Sequence, residues 1–298
     1  MKIAVASGKG GTGKTTVATS LLGSLLDTDE IISPSNLIFM DCDVEAPNAH
    51  LFLNPEFSER KDVHINIPQV DEQLCSHCGL CAEICQFNAI AVIGKKALVF
   101  PQLCHGCGSC TLMCPEKAIS ETENVIGYIE KGAVSQQVRF AHGYLNVGEP
   151  MAIPIIGRVK GAYRVEHEDL IILDASPGTS CPVVETMRGT DFVVLVTEPT
   201  PFGLHDLKLA VEVAQTMNIP MGVIINRSNI GDDAVEDFCH QMNIPILMTI
   251  PYEKRIAEGI AVGKLLIDID GDYVERFRQV YSHIAEIVTA REGRINHA

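Results

Sequence analysis

Residues Gly8 to Thr15 read GKGGTGKT, with four glycines in eight positions, between a short apolar run, Lys2 to Ser7, and an apolar-periodic run of helical length, Thr15 to Leu26. Glycine weakens helices and strands but tolerates the left-handed conformations of a tight turn, so the segment predicts strand, loop and helix in succession. The order Gly, any four residues, Gly-Lys-Thr is that of a phosphate loop. Its backbone N–H groups curl around phosphate oxygens and the helix N-terminus adds its positive end. Lys14 would reach the β- and γ-phosphates and the Thr15 hydroxyl would ligate Mg²⁺. Gly8, Lys9, Gly10, Gly11, Thr12, Gly13, Lys14, Thr15 and Thr16 are the expected contacts to ATP or ADP.

Further strand-like runs occur at Leu37 to Asp41, Leu170 to Ala175, Phe192 to Thr197, Met221 to Asn226 and Ile246 to Ile250. Helix-length segments alternate with them at Leu204 to Met217, Ala234 to Met242, Lys254 to Gly263 and Tyr273 to Ala290. Such alternation predicts an α/β fold whose mostly parallel sheet carries helices on both faces. The rhythm stops between Val70 and Thr122, where short glycine- and cysteine-rich loops take over. A small domain inserted at 70–122 is expected, with 1–69 and 123–298 forming the nucleotide-binding domain. The stretch Glu123 to Glu168 has no sustained period, and a hairpin returning the chain to the sheet is expected in part of it.

The balance of 23 basic against 38 acidic residues gives a net charge of −15, which opposes a broad surface for nucleic acid. No run of about 18 apolar residues is present, and the chain opens on MKIAVAS without a signal-peptide core, so a cytoplasmic protein is expected. Eight of the 11 cysteines lie between Cys75 and Cys114. Without a segment directing the chain to an oxidising compartment, that density predicts metal ligands rather than disulfides.

Cys75, Cys78, Cys81 and Cys85 have the spacing CxxCxxCxxxC, and Cys104, Cys107, Cys110 and Cys114 repeat it, the second time followed by Pro115. Three cysteines three residues apart suit the corner of a cubane, whereas tetrahedral zinc sites draw on widely separated pairs. The doubled motif resembles that of bacterial two-cluster ferredoxins, in which the fourth cysteine of each run ligates the other cluster. The resemblance implies one 4Fe-4S cluster on Cys75, Cys78, Cys81 and Cys114, and a second on Cys85, Cys104, Cys107 and Cys110. Gln86 stands where many ferredoxins carry a proline, and His77 and His105 are expected as spacers or hydrogen-bond donors between ligands.

The second lysine of the loop, Lys9 in KGGTGKT, resembles the deviant phosphate loop of the MinD, ParA and nitrogenase iron protein class of ATPases. In that class the extra lysine contacts the nucleotide of the partner subunit, which implies a homodimer or a heterodimer with a related ATPase. Asp41 to Asn48, DCDVEAPN, is similar to switch I of the class, with Asp43 helping to place the attacking water. Asp174 to Gly178, DASPG, is similar to its Walker B and switch II segment, with Asp174 holding the Mg²⁺ hydration shell. Either aspartate alone could equally cap a helix or form a turn. Asn226 and Arg227 match the place where the adenine is bonded, and Pro251, within Ile250 to Tyr252, matches a wall of that pocket. Cys42 and Cys239 are expected as small buried residues. Cys181 is either a ligand to a cluster shared by two subunits, as its spacing from Asp174 resembles that of the nitrogenase iron protein, or a buried cysteine opening a helix at Pro182.

Including VTEPTPFGLHDLKLAV at Val196 to Val211, nearly the whole chain resembles MinD-superfamily P-loop ATPases that contain an inserted ferredoxin domain. The resemblance implies hydrolysis of ATP to ADP and phosphate with Mg²⁺, two 4Fe-4S clusters, and a nucleotide switch gating electron transfer to a redox acceptor. An alternative is a cluster or metallocofactor carrier of Mrp type serving an apo-protein client, although the chain lacks the C-terminal CxxC of Mrp proteins. A third is MinD-like positioning through a C-terminal amphipathic helix. The charges of Tyr273 to Ala290 are mixed, however, and its apolar positions are expected to pack on the sheet rather than on a membrane.

Overall fold

The computed structural model describes residues 1–26, 37–166 and 169–295. The chain opens with β1 (Lys2–Ala6), α1 (Lys14–Ser24), β2 (Leu37–Asp41), α2 (His50–Leu53) and β3 (Glu56–Val70). The cysteine region holds α3 (Leu80–Ile84), β4 (Ile90–Ile93), β5 (Lys96–Val99) and α4 (Ser109–Met113). Then come β6 (Ile119–Ala133), β7 (Val138–Leu145), α5 (Ala152–Lys160), β8 (Leu170–Asp174), α6 (Cys181–Met187), β9 (Phe192–Thr197) and α7 (Pro201–Thr216). The chain continues through β10 (Met221–Asn226), α8 (Ala234–Met242), β11 (Ile246–Ile250), α9 (Lys254–Ala261), α10 (Leu266–Ile269) and α11 (Asp272–Ile295).

Nine strands form one sheet in the order β11-β10-β9-β1-β8-β2-β7-β6-β3. Pairing is parallel from β11 to β7, then antiparallel at β7–β6 and β6–β3. Every residue of β2, β8 and β9 is buried, which is why these strands read as unbroken apolar runs closed by one polar residue. On one face α1 and α11 pack Val17, Leu21, Phe277 and Ile284 against Phe39, Ile172 and Val194. On the other, α7 and α8 bring Leu207, Val211 and Val235 to Val193 and Leu195. Beside them α5 lays Ile155, Ile156 and Val159 on Ile38, Met40 and Ile171. The apolar positions of the C-terminal helix therefore face the core, and among the described residues no helix is long and apolar enough to cross a membrane.

Two 15-residue strands, β3 and β6, form an antiparallel arm that leads to the cysteine region. The expected hairpin is β6–β7, which joins the sheet where β7 runs parallel to β2. Glycine permits the close pairing inside this arm: a Cβ at Gly132 would stand 1.9 Å from the Glu56 carbonyl oxygen. Between the strands of the arm, β4 and β5 form a separate antiparallel pair.

Candidate functional site: a phosphate loop and a cysteine-lined insert

The turn between β1 and α1 takes left-handed conformations at Gly11 (φ 81°) and Gly13 (φ 92°). Cβ atoms at Gly10 and Gly11 would meet nothing within 4 Å, so this face of the loop is open for an anion to approach the backbone. A Cβ at Gly13 would lie 2.4 Å from Asn226 Nδ2, which donates to the Thr12 carbonyl at 2.8 Å. Asn226 thus braces the loop from the end of β10.

Lys14 opens α1 and turns back to Asp174, at the end of β8, with Nζ 2.5 Å from Oδ1. Thr15 Oγ1 donates to the other oxygen of the same carboxylate at 2.6 Å. Burial alone would pull the Lys14 pKa down, but Asp174, Asp41 and Asp43 outweigh it and hold the ammonium above its usual range. Asp43 borders the same cleft, where burial raises its carboxyl against the opposing pull of Lys14. The residues expected to hold Mg²⁺, namely Thr15, Asp43 and Asp174, are therefore gathered around Lys14. A hydroxyl and two carboxylates form the hard oxygen set that Mg²⁺ accepts.

Asp41 has a role the sequence reading did not assign. Fully buried, it accepts backbone N–H groups of Asp43 (3.1 Å), Asn48 (3.0 Å) and Ala49 (3.0 Å), fixing the loop after β2. Burial, and then Asp174 opposite it in the sheet, push its carboxyl up to about 7. An aspartate that closes an apolar strand and is followed by turn-forming Asp43, Pro47 and Asn48 is the sequence signal for this role.

The cleft holds about 430 Å³. Its polar side is Lys14, Thr15, Asp43 and Asn226, and its far wall includes Pro251, Tyr252, Ile256 and Ile260. Gly8 stands outside it, with a virtual Cβ 2.3 Å from the Asp206 carbonyl oxygen. Lys9 is also turned elsewhere: its Nζ lies 3.3 Å from Oε2 of buried Glu198, whose Oε1 accepts from Arg227 Nη1 at 2.5 Å. Arg227 therefore points to Glu198, although it also borders the cleft.

The two cysteine runs build the same local structure twice. In each, a glycine with positive φ (Gly79, 84°; Gly108, 72°) precedes a short helix that carries the third cysteine, and the fourth follows its last residue. Cys85 Sγ accepts from Ala89 N and Cys114 Sγ from Ala118 N, both at 3.3 Å. One cavity is bordered by Cys75, Cys78, Cys81 and Cys114, the other by Cys85, Cys104, Cys107 and Cys110. Among the described residues, no three His, Cys, Asp or Glu side chains converge closely enough to hold one metal ion. Each set of four cysteines instead borders a small cavity of its own. His77 is held by Glu72 (3.1 Å), and His105 stacks on Phe87 with ring centroids 3.5 Å apart.

Cys42 and Cys239 are buried, and burial pushes both thiols up, that of Cys239 to about 11. Cys181 is the first residue of α6 and exposed, so the expectation of a buried helix-opening cysteine does not hold.

Comparison with known proteins places these features in context. Residues 3–267 match the model of the CobQ/CobB/MinD/ParA nucleotide binding domain. An uncharacterized protein of Methanocaldococcus jannaschii is 32% identical over 291 residues, covering 97% of this chain and 98% of that one. An iron-sulfur cluster carrier protein of the same organism is 24% identical over 165 residues, 47% of this chain and 57% of the carrier. Among solved structures, septum site-determining protein MinD from Pyrococcus horikoshii, complexed with Mg-ADP, superposes with a TM-score of 0.58 at 18% identity over 96% of both chains. The cell division ATPase MinD of Pyrococcus furiosus gives 0.55 at 19% identity, covering 96% of this chain and 98% of that one.

Proposed function

Because the chain belongs to the CobQ/CobB/MinD/ParA nucleotide-binding family and is a P-loop ATPase of the MinD/ParA kind, we propose that its nucleotide switch gates electron transfer through two 4Fe-4S clusters in the insert. The observation that carries this reading is the pair of four-cysteine cavities at the end of an arm whose strands belong to the nucleotide-binding sheet.

At the nucleotide, Lys14 would exchange Asp174 for phosphate oxygens, freeing the carboxylate to order the Mg²⁺ hydration shell beside Thr15. Asp43 would orient the attacking water, and the open backbone at Gly10 and Gly11 would bond phosphate. Lys9 would leave Glu198 to reach nucleotide held by a second subunit, so ATP would sit within a dimer. The Mg-ADP complex of the Pyrococcus horikoshii neighbour supports this choice of ligand.

The strand register supports this coupling. Asp174, Asp41, His142, Glu130 and Arg60 stand opposite one another on β8, β2, β7, β6 and β3. His142 Nε2 lies 3.1 Å from Glu130 Oε2, and Leu145 N of β7 donates to the Val44 carbonyl in the loop after β2 at 2.8 Å. A change in that loop on nucleotide binding would thus bear directly on the arm.

When bound, each cluster would supply one-electron chemistry at low potential. The chain's part is to hold it by four thiolates, with backbone N–H groups such as those of Ala89 and Ala118 aimed at sulfur. Anaerobic purification followed by iron and acid-labile sulfide analysis tests the reading: about eight irons per chain is the expected content for two such clusters. A chain that binds no iron and sulfide, or binds zinc instead, would refute it.

A carrier reading is favoured by one observation, the exposed Cys181 just beyond the switch-like Asp174 to Gly178 segment, together with the partial similarity to cluster carriers. It predicts about ten irons per chain, the excess being a cluster shared by two chains, and loss of transfer to apo-protein in Cys181→Ser.

A further inference from the structure

The strands that enter the insert treat its two cavities differently. On β6, Ile119 borders the cavity of Cys75, Cys78, Cys81 and Cys114, while Glu121, two residues on, borders that of Cys85, Cys104, Cys107 and Cys110. On β3, Val70 borders the first cavity and Asn66 the second. From this pair of strands one cavity therefore receives two aliphatic side chains, and the other an amide and a carboxylate beside Pro68.

The carboxylate is also fixed in place. Asn66 Nδ2 donates to Glu121 Oε2 at 3.2 Å. The other oxygen, Oε1, lies 3.1 Å from where a Cβ would stand on Gly108, in the turn between Cys107 and Cys110. Glycine at that turn, with φ 72°, leaves room for the carboxylate against the cluster-binding loop. The first cavity has a carboxylate of its own at its border, Glu116, which follows Cys114-Pro115 and is exposed, as Glu121 is.

Resting on the two-cluster reading above, we infer that Glu121 is a positioning residue that holds a negative charge against the cluster of Cys85, Cys104, Cys107 and Cys110, making it the lower-potential member of the pair. Reduction adds one electron to a site already negative from its thiolates, and a fixed carboxylate nearby makes that addition less favourable. When both clusters are bound, the one held by Cys75, Cys78, Cys81 and Cys114 would then be the easier of the two to reduce.

The test is a dye-mediated redox titration of the full-length, cluster-loaded protein followed by paramagnetic resonance. The wild type is expected to show two separate midpoints. Glu121→Gln should raise the lower midpoint by about 59 mV, a tenfold gain in electron occupancy for one electron, and leave the upper one in place. Asn66→Ala, which unpins the carboxylate without removing it, should move the same midpoint by less, and Glu116→Gln should leave it unmoved. The inference is overturned if Glu121→Gln and Asn66→Ala both titrate as wild type, or if the upper midpoint is the one that moves. Failure of the wild type to take up clusters is a different result: it overturns the two-cluster reading beneath.

Discussion

Lys14 and Asp174 form a buried pair, Nζ to Oδ1 at 2.5 Å, and the remaining oxygen of the same carboxylate takes the Thr15 hydroxyl at 2.6 Å. The buried ammonium and carboxylate satisfy each other. Removing one partner of such a pair leaves an uncompensated buried charge, at a cost of about 3–5 kcal/mol. Asp174→Ala is therefore expected to lower the unfolding free energy of the nucleotide-free protein by about that amount in urea denaturation. Lys14→Ala should abolish ATP binding in calorimetry. Wild-type stability in the first variant would show that the pair does not hold the empty site together.

Lys9 and Arg227 share the carboxylate of Glu198. If Lys9 must leave that carboxylate to reach a second subunit, Glu198→Gln should favour the ATP-dependent dimer. Since Lys9 is partly exposed, the gain is expected to be modest, about fivefold in the dimerisation constant or ~1 kcal/mol. Sedimentation with MgATP measures it, and weaker association in the variant would contradict the role given to Lys9.

Asp41 sets a pH dependence. Its carboxyl, pushed up to about 7 by burial and then by Asp174, binds its proton more tightly in the folded chain than in the unfolded one. Its contribution to stability is complete below the ordinary carboxylate range and is lost as pH rises through about 7. Burial raises Asp43 in the same direction. His50 and His142 act in the opposite sense: burial lowers both, so their contribution is present above the ordinary histidine range and is lost as pH falls through their folded values. Asp41 should therefore make the unfolding free energy of the nucleotide-free protein decline from the ordinary carboxylate range up to about pH 7, against the opposing histidines, and Asp41→Asn should remove that decline. Equal slopes in the two proteins would remove Asp41 as its source.

The arm depends on close backbone contact at Gly132, where a Cβ would overlap the Glu56 carbonyl. Gly132→Ala should separate β6 from β3 and destabilise the arm by about 1–3 kcal/mol. ATP binding should persist, because β1, β2 and β8 lie elsewhere in the sheet. Hydrogen exchange resolved by segment would show faster exchange in β3 and β6, and uniform exchange across the chain would deny the arm its separate stability.

The phosphate loop and cysteine runs were legible because each is local: spacing and glycine content state the geometry within a dozen residues. Helix α8 and strands β2, β9, β10 and β11 also fell where their apolar periods placed them. The arm was not legible. Strand β3 reads EFSERKDVHINIPQV, with few buried side chains besides Val63, Ile65 and Pro68, and register shifts at Phe57/Glu59 and Val63/His64 interrupt the alternation. Its Pro68 further disguises it, being tolerated because β3 lies at the edge of the sheet. Helix α5 was hidden by Pro154 and Gly157 within AIPIIGRVK. The bond from Lys9 to Glu198 joins residues far apart in the chain, so only the fold could reveal it.

The most direct test of nucleotide gating is electron delivery from the pre-reduced, cluster-loaded protein to a soluble one-electron acceptor, timed with and without MgATP. Coupling through the sheet from Asp174 and Asp41 to the arm predicts different rates in the two conditions, with the difference abolished in Lys14→Ala. Equal wild-type rates across a range of acceptors, in a protein shown to bind both nucleotide and iron, would contradict it.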